Sequence, residues 1–158
     1  MDKWTVEVAL GEDEWPDGEE ATDWCSRAAC AALAGSGRAE PAGISILLGS
    51  DDEIRALNSR FRGHDKPTNV LSFPSGGTPW PGGPPPLGEI ALAGATIRRE
   101  AAKQRKTLHD HLCHLVVHGT LHLLGFDHLT ERAAVRMERL ETRCLKTLSI
   151  ADPYRERD

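Results

Sequence analysis

The sequence has no apolar run approaching the ~20 residues that a membrane-spanning helix needs. Its first stretch, MDKWTVEVALGEDEWPDGEE, has no basic n-region, no apolar h-region and no small-residue cleavage site. The expectation is a cytoplasmic protein with no membrane partner. None of the four cysteines, Cys25, Cys30, Cys113 and Cys144, forms a Cys-x-x-Cys pair. In a reducing compartment they read as free thiols, small core residues in helical stretches rather than a disulfide framework. No internal repeat is present. What remains is ordinary globular material: 158 residues, 39% hydrophobic and 27% charged. That length suits one domain, 1–158, able to bury about two thirds of its unfolded surface.

A formal charge of -5 argues at first against a nucleic-acid partner. Its distribution weakens that argument. Residues 1–40 hold 10 acidic and 3 basic side chains, whereas residues 41–158 hold 14 and 16. Basic residues gather at Arg55, Arg60, Arg62 and Lys66, and again at Arg98, Arg99, Lys103, Arg105 and Lys106. Such clusters permit an anionic partner without requiring one.

Trp4, Val6, Val8 and Leu10 alternate with Thr5, Glu7 and Ala9, the period of a half-buried strand. After an acidic turn region, Gly11 to Glu20, an Ala-rich helix is expected from about Asp17 to Ala34, stopped by Gly35-Ser36-Gly37. Ile44 to Leu48 reads as a more buried strand. Ser50 and Glu53 have the spacing of a capping box for a helix that carries Ile54, Leu57 and Phe61 on one face and ends near Gly63. Lys66-Pro67-Thr68-Asn69 reads as a turn, Val70 to Phe73 as a strand, 74–88 as a Pro/Gly-rich loop and Glu89 to Leu92 as a further strand. Three helices complete the chain: Gly94 to Arg105, Thr107 to Leu124 with Gly125 behind it, and Thr130 to Leu148 with Val135, Met137, Leu140 and Cys144 inward. The pattern is α+β with a small mixed sheet.

Five of the seven histidines fall between positions 109 and 122. His118 and His122 lie four apart, one above the other on a helix face. Gly125 can take a positive φ, so the chain can turn and bring His128 to the same point. Three neutral imidazoles can hold a divalent ion and leave a fourth position open, a catalytic type of site. A closed structural site needs a fourth ligand. Cys113 is turned about 140° from His118 at 3.6 residues per turn, and Cys144 reaches only if the last helix folds back. His114 and Asp127 are candidates to orient a ligand imidazole, with capping the alternative role for Asp127. His111 reads more simply as part of a polar stripe, and His109 as a surface residue. The spacing His-x3-His-x5-His resembles the metzincin peptidases, but the general-base Glu that follows their first His is Gly119 here.

The segment His118-Gly-x-Leu-His122-Leu-Leu-Gly125-Phe-Asp127-His128 resembles the signature of the YbeY family of endoribonucleases and rRNA maturation factors. So does Phe61-Arg62-Gly63-x-Asp65-Lys66-Pro67-Thr68-Asn69-Val70-Leu71-Ser72-Phe73-Pro74, and Leu87-Gly88-Glu89-Ile90 is similar to a third family segment that more often has Asp at 89. Met137, Glu138, Glu141 and Ala151-Asp152-Pro153-Tyr154 also fit. The resemblance implies a four-stranded mixed sheet beside a histidine-bearing central helix, and one zinc ion on His118, His122 and His128. It implies cleavage of single-stranded RNA, with roles in 3′-end maturation of 16S rRNA and in ribosome quality control. The implied partners are the small ribosomal subunit, an Era-type GTPase and ribosomal proteins.

Hydrolysis of a phosphodiester needs an activated nucleophile, polarised phosphoryl oxygens and a counter-charge. A zinc ion on the histidines can supply the first two. Alone, Arg62 reads as a surface ion pair at a helix end; with the resemblance it becomes the candidate for the third, through bidentate bonds to phosphate. Lys66, Asn69 and Ser72 are candidates for RNA contact. Two alternatives stay open: an rRNA-binding assembly factor whose metal is structural, and a metallohydrolase acting on something other than RNA.

Overall fold

The computed structural model describes residues 4–11, 15, 18–63, 68–75 and 85–154. Half of the acidic turn region, the expected helix start at Asp17 included, Lys66 with Pro67, and 76–84 of the Pro/Gly-rich loop lie outside the described residues. The order is β1 (Trp4–Leu10), α1 (Gly18–Gly35), β2 (Ala42–Gly49), α2 (Asp51–Arg62), β3 (Val70–Pro74), β4 (Pro86–Ala93), α3 (Gly94–Lys103), α4 (Leu108–Leu123) and α5 (Glu131–Lys146). Among the described residues, no helix is long and apolar enough to cross a membrane.

The strands form one mixed sheet in the order β1-β2-β4-β3. β1 runs parallel to β2 and β2 to β4, while β3 is antiparallel to β4. Successive side chains of a strand point to opposite faces. Ile44, Ile46 and Leu48 of β2 and Ile90 and Leu92 of β4 therefore enter one core with α1, α4 and α5. Leu47, Leu71, Phe73, Ala91 and Ala93 enter a smaller core with Ile54 and Leu57 of α2. The continuous apolar run of β2 is explained by its position between two strands with helices on both faces.

Helix ends follow local chemistry. Ser50 Oγ accepts the Glu53 amide at 3.1 Å and the Glu53 carboxylate accepts the Ser50 amide at 2.9 Å, the reciprocal capping box. Thr107 and Thr130 cap α4 and α5 through the Asp110 and Ala133 amides. On α1 the buried face is small apart from Leu33, with Ala21, Cys25, Ala28, Ala29 and Ala32, so α4 can approach closely. The four cysteines are free; three are buried and Cys30 is half-buried.

Three sequence expectations change. The proline-rich segment is shorter than 74–88, because Pro74 ends β3 and Pro86-Leu87-Gly88 open β4. A proline is tolerated at a strand's first residue, and the register slips there between Gly43 and Ile44. Val135 is 45% exposed, because it lies about 200° around α5 from Met137. The inward stripe is Met137, Leu140, Glu141, Cys144 and Leu145. Phe61 is 59% exposed and rests edge-on against Phe73 rather than in the core.

Asp51, in the first turn of α2, ties that helix to α3: its carboxylate accepts the Thr96 amide at 3.0 Å and Arg99 Nη2 at 3.2 Å. Burial alone would raise its pKa, but those hydrogen bonds and the Arg99 charge hold it below its ordinary value. A depressed carboxyl stabilises the fold above the ordinary carboxylate range and loses that contribution as pH falls through the lowered value. Asp51→Asn is expected to cost under about 1 kcal/mol at neutral pH. In urea titrations, its deficit against wild type should shrink below about pH 4.

Candidate metal centre and cleft

α4 brings His118 and His122 to one face, one turn apart. The chain then reverses at Gly125, whose φ of 99° lies where only glycine is unstrained, and the Phe126 amide bonds back to the Leu121 carbonyl. That reversal returns His128. The three rings lie 4.5, 4.9 and 5.2 Å apart by centroid, and a nitrogen of each falls within 4.8 Å of the others. His118 and His122 are half-buried and His128 is exposed.

A carboxylate inside the protein fixes the first ring. Glu141 of α5 is fully buried, and its Oε1 accepts His118 Nδ1 at 2.5 Å. Its Oε2 accepts His114 Nε2 at 3.1 Å and the Tyr154 hydroxyl. Burial alone would raise the Glu141 pKa, but donors His114, His118 and Tyr154 outweigh it and hold the group at about 2. An ionised carboxylate only accepts hydrogen bonds, so His118 carries its proton on Nδ1 and directs the Nε2 lone pair outward. The tail is fixed in turn: Asp152 Oδ1 accepts the Tyr154 amide at 2.8 Å and the Thr142 hydroxyl at 3.1 Å. Burial, then the bond to Glu141, pushes the Tyr154 phenol far up, so it remains a donor.

His118 Nε2 and His122 Nε2 stand 3.0 Å apart. Two ring nitrogens at that distance need either a shared proton or a cation between them. Tetrahedral zinc with bonds of 2.0–2.1 Å holds its nitrogens about 3.3 Å apart, so the donor set fits such an ion. Burial, followed by the charges of His118 and His128, lowers the His122 pKa and favours the neutral imidazole that a metal requires.

Beside the histidines lies a cleft of about 240 Å³, lined by Arg62, Val70, Leu71, Ser72, Pro74, His118 and His122. Arg62, at the end of α2, donates through Nη2 to the Ser72 carbonyl and lies 5.4 Å over the Phe73 ring. The last residue of α2 thus places a guanidinium in the same cleft as the histidines. Ser72 Oγ donates to the Gly119 carbonyl at 3.3 Å.

A family model described as Endoribonuclease YbeY matches residues 11–149. The chain belongs to the endoribonuclease YbeY family. Curated YbeY endoribonucleases align along nearly the whole chain. That of Allorhizobium ampelinum is 47% identical over 98% of this chain and 96% of its own length. That of Rhizobium meliloti is 43% identical over 94% of each. The solution structure of TM1509 from Thermotoga maritima shares the fold, with a TM-score of 0.56 and 24% identity over 96% of this chain and 100% of that one.

Within this YbeY fold the two long sequence motifs meet at one cleft, Arg62 and Ser72 from one and His118 and His122 from the other. Other candidates go elsewhere. Asn69 donates to Glu100 Oε1 at 3.0 Å, the same oxygen that pairs with the buried His111 at 2.9 Å. Asp127 accepts the Leu129 amide at 3.1 Å and shapes the turn before α5. His114 reaches Glu141, not the metal side of the rings. His109 pairs with Asp110 and meets Trp24 edge-on. Cys144 does lie on a helix that folds back, yet its sulfur is directed at Gly35. Glu89 is exposed on the opposite sheet face, in a groove with Leu47, Leu57 and Phe61. Sequence reasoning gave no role to Glu141 or Tyr154. The signal was legible for Glu141, a carboxylate inside the inward stripe of α5.

Gly119 has a structural cause. A Cβ there would stand 3.0 Å from Ser72 Oγ and 3.2 Å from Ile90 Cγ2, so α4 rests its backbone on the sheet at this point. A peptidase-type Glu at 119 would meet β3 and β4, not the cleft.

Glu141→Gln removes the charge that sets the His118 tautomer. Divalent-metal affinity is expected to fall 10–100-fold, read by chelator competition with helix content unchanged in circular dichroism.

Proposed function

We propose that the chain is one domain that cleaves single-stranded RNA as a zinc-dependent endoribonuclease in the cytoplasm, and that it acts in 3′-end maturation of 16S rRNA and in ribosome quality control. The small ribosomal subunit, ribosomal proteins and an Era-type GTPase are its proposed partners. The observation that carries the reading is the pairing of a three-histidine metal cluster with a guanidinium across one open cleft in a YbeY fold.

His118, His122 and His128 would hold the ion. Zinc, when bound, supplies Lewis acidity and lowers the pKa of its water toward ~7. Glu141, with Tyr154 behind it, keeps the His118 ring in one orientation and one tautomer. Arg62 spends part of its donor set on the Ser72 carbonyl and the Phe73 face. This anchoring leaves its other N–H donors to bind phosphate oxygens in the cleft and to meet the negative charge that grows on them. Ser72 would line the sugar-phosphate path.

Arg62→Ala is expected to retain metal and to cleave RNA roughly 10²–10³-fold more slowly, the cost of one lost charge-stabilising donor. His118→Ala is expected to lose metal and cleavage together. Metal analysis and cleavage assays on both variants, prepared in parallel with wild type to control for contaminating nuclease, check the reading. Wild-type cleavage by metal-free His118→Ala would refute it. Full activity of Arg62→Ala with normal metal content would leave the arginine a structural role only.

A further inference from the structure

The outer ridge of α5 carries Arg132, Arg136, Arg139, Arg143 and Lys146, all exposed. At 3.6 residues per turn these five fall within a wedge of about 80° and run along roughly 21 Å of helix. No acidic residue stands three or four positions from any of them. Instead each is that distance from another cation: 132 from 136, 136 from 139, 139 from 143, and 143 from 146. Like charges so placed destabilise a helix, whereas a solvated face ordinarily alternates sign. Glu131 and Glu138 lie on the flank and Glu141 points into the protein, so α5 does not neutralise its own ridge. Among the described residues, Arg132, Arg139, Arg143 and Lys146 make no ion pair with a carboxylate. A chain of net charge -5 thus concentrates cations on one surface, beside a shallow groove of about 620 Å³ lined by Arg132, Val135, Arg136, Arg139 and Arg143, with Glu131 at its edge.

The N-terminal end of the ridge adjoins the turn that carries His128. Only Leu129 and Thr130 separate His128 from α5. Arg136 lies 5.2 Å over the ring of Phe126, on the turn that delivers His128. A strand of RNA leaving the cleft past His128 would reach Phe126 and Arg136 next.

We infer that the Arg132–Lys146 ridge is a second phosphate-backbone contact, which holds single-stranded RNA beyond the nucleotides at the cleft and so favours long substrates over short ones. The inference rests on the endoribonuclease reading for the direction of the strand, but its test is separate. The variant Arg132→Gln/Arg139→Gln/Arg143→Gln keeps Arg136 on Phe126 and touches neither Arg62 nor the histidines. Its binding to a fluorescein-labelled oligouridylate of 20 nucleotides is read by anisotropy across a salt series. Affinity at low salt is expected to fall at least about tenfold, and the slope of log K against log salt to flatten by about 2, at ~0.7 per phosphate contact. The corresponding triple Lys variant should restore most of both. Cleavage of a five-nucleotide oligouridylate should stay at the wild-type rate while kcat/KM on the 20-mer drops. Binding of the 20-mer within twofold of wild type at an unchanged slope would overturn the inference and point to an acidic protein as the ridge's partner. Equal losses from Arg27→Gln/Lys103→Gln, on other helices, would overturn it as a net-charge effect. If wild type binds the 20-mer through the ridge but cleaves neither oligonucleotide, the nuclease reading fails while the inference survives.

Discussion

The buried charge of Glu141 is the constraint around which the site is arranged. A carboxylate removed from water is strongly disfavoured unless donors replace its hydration. Three do so, from two other parts of the chain: His114 and His118 on α4, and Tyr154 in the C-terminal segment. Meeting that requirement fixes the approach of α5 to α4, holds the tail against α5 through Asp152, and sets the tautomer of a metal-facing histidine. One electrostatic demand therefore joins packing to chemistry. The depressed pKa of the group is the thermodynamic counterpart: the donors stabilise the ion more than burial penalises it.

A second constraint is steric. α4 meets the sheet with Gly119 against Ser72 and Ile90, close enough that a methyl group would crowd them. This contact puts the start of the His-x3-His run beside β3, and β3 in turn holds Arg62 through the Ser72 carbonyl and the Phe73 ring. The same spacing of histidines can thus serve different chemistries. In the metzincin pattern the residue after the first His supplies a base; here it supplies closeness to the sheet, and the polar partner across the cleft is a guanidinium.

Much of this was legible in the sequence for local reasons. The capping box at Ser50, the alternation of β1, the uninterrupted apolar run of β2 and the His118–His122–Gly125–His128 spacing are short-range patterns whose geometry follows from residues within a turn or two. The misreadings came from competition between local rules and distant partners. Pro86 and Gly88 carry loop chemistry, yet they join β4 because β2 and β3 offer pairing on both sides. Val135 is apolar but falls off the buried stripe, and Asn69 lies in a motif beside the cleft but turns to Glu100. The arginine ridge of α5 is readable from sequence at helical spacing. Only its placement beside the Phe126–His128 turn relates it to the site.

The sequence by itself determined which elements form, which three imidazoles share a helix and its following turn, and which family the motifs resemble, since each depends on residues close along the chain. Tertiary structure decided that Arg62 and Ser72 share a cleft with His118 and His122, that Glu141 and Tyr154 fix the His118 ring, and that Asn69 and Cys144 are turned to other work. Those contacts link positions 10 to 109 residues apart. They exist because sheet order, close helix–sheet packing and the need to satisfy a buried charge select among side chains that the linear sequence leaves equivalent.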